Sequence, residues 1–378
     1  MYQTVITLNM SFLIFTFGSL LVAIQIAGGQ LTPRVIATTL LRDNVVRYSV
    51  GLFVFALIFS VMALNRMEDK VHDLVTFITG CLGVATIVVF LFLIDYAARL
   101  LRPVNVLAAV AEQGIAVIEA VYPQIAAEKP TAGAPVQLPE WAGERRTVGH
   151  EGTSSILLAA DLATLVAMAQ RLGGLIEVVP QIGDFVAVDD PLFVLRGPAT
   201  ALDDAPLRTA VAFGPERTME HDPMFAFRII VDIGLKALSP AINDPTTAVL
   251  ALDQLHRLLR FVGRHQLRGD VLFDKDGTPR VVFRTPNWEE FVQLACSEIR
   301  TCGAGSFQVA RRMRAMLENL RTSLPEQRRP ALSSELELLD WSVQRHFSRP
   351  EELALARIPD SQGLGGSSPD SELSTEMP

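Results

Sequence analysis

Three stretches with no charged side chain constrain this chain more than any other feature. Residues 11–30, 48–64 and 74–94 each lack Asp, Glu, Lys and Arg. About 20 apolar residues are needed to cross a hydrocarbon core of about 30 Å, so each stretch is read as a transmembrane helix. A cleaved leader is the competing reading for the first, but no basic region precedes it and two more spans follow. The apolar excess is concentrated before residue 100: the whole chain is 49% hydrophobic and 20% charged, with a mean hydropathy of +0.31. Beyond residue 103 the composition is that of a folded domain with a core of its own.

Basic residues near span ends set orientation. Arg34, Arg42, Arg47, Arg99 and Arg102 fall on one side, and Arg66 and Lys70 on the other with Glu68, Asp69 and Asp73. This predicts a cytoplasmic C-terminal domain and an outside N-terminus. Two polar residues stand at the spans, Gln25 and Asp95. An intramembrane carboxylate is a functional candidate by default, although Arg99 one turn on makes an interfacial i,i+4 pair the simpler account of Asp95. Three spans make a thin bundle, so the expected partners are the lipid bilayer and further copies of the chain in a homo-oligomer.

The fold class predicted is an α-helical membrane bundle of three spans followed by an α+β domain. Its parts are a transmembrane domain over 1–102, a connecting helix over 103–128, a linker over 129–150, a small β-barrel or sandwich over 151–215, a mainly helical subdomain with a helical bundle over 216–357, and a disordered tail over 358–378. The connecting helix repeats Val104, Leu107, Ala111, Ile115 and Ile118 at helical spacing, and a helix this apolar packs on the rest of the protein or on a neighbouring subunit. Strands are expected from Ser155, Gly174, Ile182, Pro191 and Arg208, with Asp161 capping a helix to about Leu172. Their order resembles the biotinyl/lipoyl-like barrel sandwich. No lysine lies between Lys129 and Lys236, so that likeness carries no prosthetic-group attachment.

Asp222-Pro223 and Asp244-Pro245 each read as an N-cap with proline at the first helical position, and Pro240 ends the helix before it. The result is a helical hairpin. After it come a β-hairpin with Asp276-Gly277 at its turn and three more helices over 288–299, 307–320 and 332–347. The segments RTMEHDPMFAFRIIVDIGLKALSPAINDPTTAVLALDQL, LVAIQIAGGQLTPRVIATTLLRD and GDFVAVDDPL together resemble a family of predicted bacterial membrane proteins of unknown function, over roughly residues 5 to 345. The resemblance implies the same architecture in a bacterial inner membrane, and in many members a further span ahead of this point. It implies no catalytic or binding residue.

Two polar groups are candidate ligand sites. Arg217, His221, Asp222 and Arg228 cluster with Glu220, where His221 could serve as a base held by a carboxylate; a helix start is the preferred reading. Ser239, Asn243, Asp244 and Thr246 lie in the hairpin turn, where an anion could meet a helix N-terminus; a turn that satisfies its own backbone is preferred there. No serine elbow, phosphate loop, dinucleotide fingerprint or metal-ligand spacing occurs. No enzyme, cofactor or metal is therefore expected. The net charge of −8 gives no footprint for nucleic acid. Three cysteines, none in a CxxC, fit a reducing compartment. The functional expectation is an oligomeric ion or solute conduit controlled by the domain, with a membrane-anchored scaffold as the alternative and an enzyme as the weakest reading.

Overall fold

The structure is a computed structural model and describes residues 1–30, 44–66, 73–100, 102–125, 145–267 and 269–366. Helices α1 (Tyr2–Gln30), α2 (Asn44–Asn65) and α3 (Asp73–Leu100) form an apolar bundle. Val5 lies against Gly83, and Phe12 stacks on Phe90 with ring centroids 4.2 Å apart. These two contacts have the same offset, so α1 and α3 run parallel, and α2 sets Phe53 against the same two rings, with centroids 5.8 Å from Phe12 and 6.4 Å from Phe90. The first span therefore begins nine residues before the predicted position. Its apolar window is Tyr2–Val22; Leu20, near the end of that window, packs on the helical core, and α1, at about 43 Å for 29 residues, runs on past it.

A fourth helix, α4 (Pro103–Val121), is also long and apolar enough to cross a membrane. Its neighbours distinguish it. Val106, Leu107, Val110, Ala111, Gly114 and Ile118 are buried in one core with α7 (Pro223–Ala237) and α8 (Pro245–Gly263). A Cβ on Gly114 would come within 2.8 Å of the Ala226 Cβ, so glycine is what lets these helices approach. Arg257 on α8 reaches Glu112 at 2.7 Å. The apolar stripe of α4 is thus spent on protein. The buried stripe differs from the predicted one at its start, because Val104 is 43% exposed.

The helical core is completed by α9 (Trp288–Gly303), α10 (Phe307–Ser323), α11 (Arg329–His346) and α12 (Pro350–Ala356). The strands are β1 (Arg145–Gly149), β2 (Ser155–Ala160), β3 (Leu175–Val178), β4 (Phe185–Val186), β5 (Pro191–Arg196), β6 (Val211–Gly214), β7 (Val271–Phe273) and β8 (Pro279–Phe283), with α5 (Leu162–Leu172) and α6 (Asp204–Thr209) between them. They build two open sheets, β1-β5-β3-β8-β7 and β4-β2-β6. The expected barrel does not close.

Three expectations are corrected here. The predicted linker ends in a strand, β1, which pairs antiparallel with β5; the rest of 129–144 lies outside the described residues. The hairpin β7–β8 comes from within the predicted helical subdomain, yet β8 runs parallel to β3, so the β-rich and helical parts share a sheet and are not separate along the chain. Finally, residues 358–366 of the predicted disordered tail are folded onto α10. Arg311, fully buried, donates to the carbonyls of Ile358 (3.0 Å) and Gly365 (2.8 Å). Asp360 accepts from the amides of Gln362, Gly363 and Gly365. Burial opposes the charge on Asp360, but those amides and the nearby Arg311 hold its carboxyl below the usual range. Residues 367–378 lie outside the described residues.

Candidate functional site

The structure divides the first polar cluster. Asp222 is buried at the start of α7, where its carboxylate caps the Phe225 amide at 3.3 Å. Arg217 Nε stands 3.0 Å from Asp222 Oδ2, but off the line of a hydrogen bond, so the pair is chiefly coulombic. The Arg217 guanidinium lies over Gly183 in the β3–β4 loop, where any side chain would displace it; Gly183 also has φ +91°. Burial raises the Asp222 pKa above the usual value, against the pull of Arg217 and of the Phe225 and Met224 amides.

Arg228 is turned elsewhere: it pairs with Asp232 and Glu298. His221 is exposed, and among the described residues no hydrogen bond or ion pair reaches it. The base, the carboxylate and the second arginine of a catalytic constellation are therefore not brought together.

The hairpin turn is self-satisfied. Asp244 caps α8 by accepting from the Thr247 amide at 3.1 Å and from the Thr247 hydroxyl. Ser239 donates to the Lys236 carbonyl, and the Asn243 and Asp244 amides return to Ser239 and Ala237. Asn243 adopts φ +50°, a left-handed conformation that asparagine tolerates well. Thr246 is exposed. An anion at the N-terminus of α8 would face the Asp244 carboxylate, so the turn is a structural corner.

In the membrane bundle, Asp95 is exposed and pairs with Arg99, and Gln25 is exposed beyond the apolar window of α1. The bundle interior holds polar residues that the sequence reading passed over. Asn9 is fully buried; its amide donates to the Val5 carbonyl at 2.8 Å, while its Oδ1 has no partner among the described residues. Ser60, Thr79 and Thr86 are also fully buried. The Val5–Gly83 contact places Asn9 and Thr86 one turn further along, at the same level. Beyond them Phe12, Phe53 and Phe90 meet with centroids 4.2–6.4 Å apart and fill the centre. The signal for Asn9 was available in its position: with the first span starting at Tyr2, an asparagine falls inside it.

Other buried charges are paired. Arg300 on α9 meets Glu335 at 2.7 Å and Ser342 at 3.0 Å, and burial still raises the Glu335 pKa. Arg312 donates to His256 Nδ1 at 3.1 Å, which leaves Nε2 as the protonated nitrogen that donates to Asn319 Oδ1 at 2.9 Å. Burial lowers the His256 pKa, and the fully buried Cys296 thiol is pushed well up, which keeps it unreactive. Among the described residues no three His, Cys, Asp or Glu side chains come together as a metal-binding group.

An apolar helical bundle joined to an α+β domain defines the class as a membrane protein. The chain belongs to the family described as Predicted membrane protein (DUF2254), whose model matches residues 1–319. It is 26% identical over 356 residues to the uncharacterized protein Rv1290c of Mycobacterium tuberculosis (strain ATCC 25618 / H37Rv), covering 90% of this chain and 67% of that one. The uncharacterized protein Mb1321c of Mycobacterium bovis matches with the same figures. No solved structure matches.

Proposed function

We propose that the chain is an oligomeric conduit for ions or small solutes, with its path between copies and its opening controlled by the domain. The observation that carries this reading is the junction at Arg102-Pro103, where α3 gives way to α4, and α4 is buried against α7 and α8. A rearrangement of the domain core would move α4 and, through two residues, the end of α3. The path is placed between copies because the three phenylalanines occupy the interior of each bundle. No enzymatic step is assigned, since His221 stands apart from Arg228 and has no partner among the described residues. Arg47, Arg99 and Arg102 lie at the bundle end that joins the domain, which favours a cytoplasmic domain in a bacterial inner membrane.

The test is flux from liposomes containing the full chain, together with its native mass in the same detergent. Flux from an oligomer is the expected result, and a monomer without flux overturns it in favour of a membrane-anchored binding or scaffolding protein. Orientation is read separately: exposed Cys302 should react with a membrane-impermeant thiol reagent in inverted vesicles and not in intact spheroplasts.

A further inference from the structure

Helices α4, α7 and α8 share one end. α4 and α8 run side by side in the same direction: Glu112 meets Arg257, a Cβ on Gly114 would lie 3.2 Å from Leu258, and the Gln124 carbonyl accepts from the Gln266 amide at 2.7 Å. Gly114 also faces Ala226, and α7 turns back into α8. Counting about three turns from that crossing brings Pro103, Ala237 and Pro245 to one level. α9 runs with α7: Phe227 meets Phe291 with centroids 5.2 Å apart, and a Cβ on Gly303 would lie 3.2 Å from Leu238. Gly363 lies against Val249 of α8, which brings Leu364, 76% exposed, to the same end. The bundle meets the domain here, since α3 ends at Leu100, α4 begins at Pro103, and α1 touches α7. The two ends of the domain differ in chemistry. From Leu238 to Asn243 the α7–α8 turn carries no charge, and its exposed tip is Pro240-Ala241, whereas turns in water favour Gly, Asn, Asp and Ser beside Pro. At the far end Trp288 packs on Gly263, and the adjoining β7–β8 turn is Asp274-Lys275-Asp276-Gly277, with Lys275 and Asp276 exposed. α8, at about 28 Å for 19 residues, separates the two.

We propose that the α7–α8 turn rests in the headgroup layer of the bilayer that holds α1–α3, with Pro240 and Ala241 as its contact and Leu364 as a second apolar point. The occupant is lipid because this face continues from the bundle across Arg102-Pro103, at the level where α3 leaves the membrane. An apolar tip at that level removes its surface from water by settling among the headgroups. The domain is then tied to the bilayer at two places, the α3–α4 junction and the turn. A disturbance of the headgroup layer reaches α4 through α7 and α8, which bury it. This surface is independent of the conduit reading.

The test places a small polar fluorophore on Ala241→Cys and, as the control, on Lys275→Cys. Each is made in the full chain with Cys81→Ser and Cys302→Ser; Cys296 is buried and stays unlabelled. The chains are held in nanodiscs whose phosphatidylcholine carries a nitroxide on the headgroup. The label at 241 should lose most of its emission relative to nanodiscs without nitroxide, and the label at 275 should keep its own. Melting temperatures equal to that of the unlabelled chain show that both variants fold. No loss at 241, or equal losses at both positions, overturns the proposal. No loss at 241 together with shielding of that label from dissolved iodide in an oligomer also overturns it, and identifies a second copy of the chain as the cover.

Discussion

Helices α3 and α4 follow each other across Arg102 and are both apolar enough to span a membrane, yet they meet opposite surroundings. In α3 the large side chains Leu74, Phe77, Val84, Val88 and Leu91 are 61–70% exposed, a surface that only lipid or another membrane helix can cover. In α4 the apolar side is closed by α7 and α8, and its carboxylate Glu112 pairs with Arg257. Hydropathy measures how much a helix gains by leaving water, and does not distinguish the two destinations. Tertiary neighbours do. The contrast also appears in polar groups: the domain core pairs its buried Arg300 with Glu335, whereas the bundle keeps at Asn9 an acceptor without a partner among the described residues.

The strongest way to break this contrast is to put the same charge in both helices. Leu107→Lys in α4 places an ammonium in the closed core and should cost about 4 kcal/mol or more, enough to lose cooperative unfolding of the domain in detergent. Val88→Lys in α3 should leave that unfolding unchanged and instead cost about 2.5–3.5 kcal/mol in membrane insertion, read as a reduced inserted fraction. If Val88→Lys unfolded the domain, the division between the helices would fail. Of similar or slightly smaller size than the α4 effect, Arg300→Met should cost about 3–5 kcal/mol by leaving Glu335 buried without its cation. Denaturant unfolding of the full chain measures it, and a double variant with Glu335→Leu should recover most of the loss.

Smaller effects sharpen the comparison. Asn9→Leu removes the unpartnered acceptor and should stabilise the bundle by about 1 kcal/mol, measured as a higher thermal midpoint in detergent; a loss instead would show that the Oδ1 group has a partner in the assembled protein. The smallest concerns pH. Burial raises the Asp222 pKa, so the folded state binds its proton more tightly than the unfolded chain does. The contribution of Asp222 is therefore most favourable at low pH and is lost as pH rises through the folded-state value. Asp222→Asn, which keeps a capping side chain, should narrow the fall in melting temperature between pH 4 and pH 7. An identical pH profile in the variant would remove Asp222 from that account.

Much of this was legible before any coordinates. Asp161, Asp222 and Asp244 each cap the helix that their sequence announced, because capping is a local interaction between a side chain and the next turn's amides. Gly277 at φ +76° marks the predicted hairpin turn for the same reason. What failed was non-local. The strand β1 follows a proline- and glycine-rich stretch, and only β5 makes it a strand. The parallel partnership of β3 with β8 joins residues more than a hundred apart, and no periodicity carries that information. The candidate sites fared likewise. Asp222 and Asp244 were readable as caps, but the departure of Arg228 toward Glu298 depends on α9, which lies 70 residues on.

The segment that closes over α10 has a consequence in time. Arg311 and its acceptor Ile358 are 47 residues apart, and the Gly365 acceptor lies 54 residues beyond Arg311. At about 5–20 residues per second of synthesis, several seconds pass between the appearance of the cation and that of the carbonyls that receive it. During that interval α10 can pack its apolar side on α8, but the guanidinium of Arg311 must remain in water. The helical core is therefore assembled with one side open and is sealed by the segment made last among the described residues.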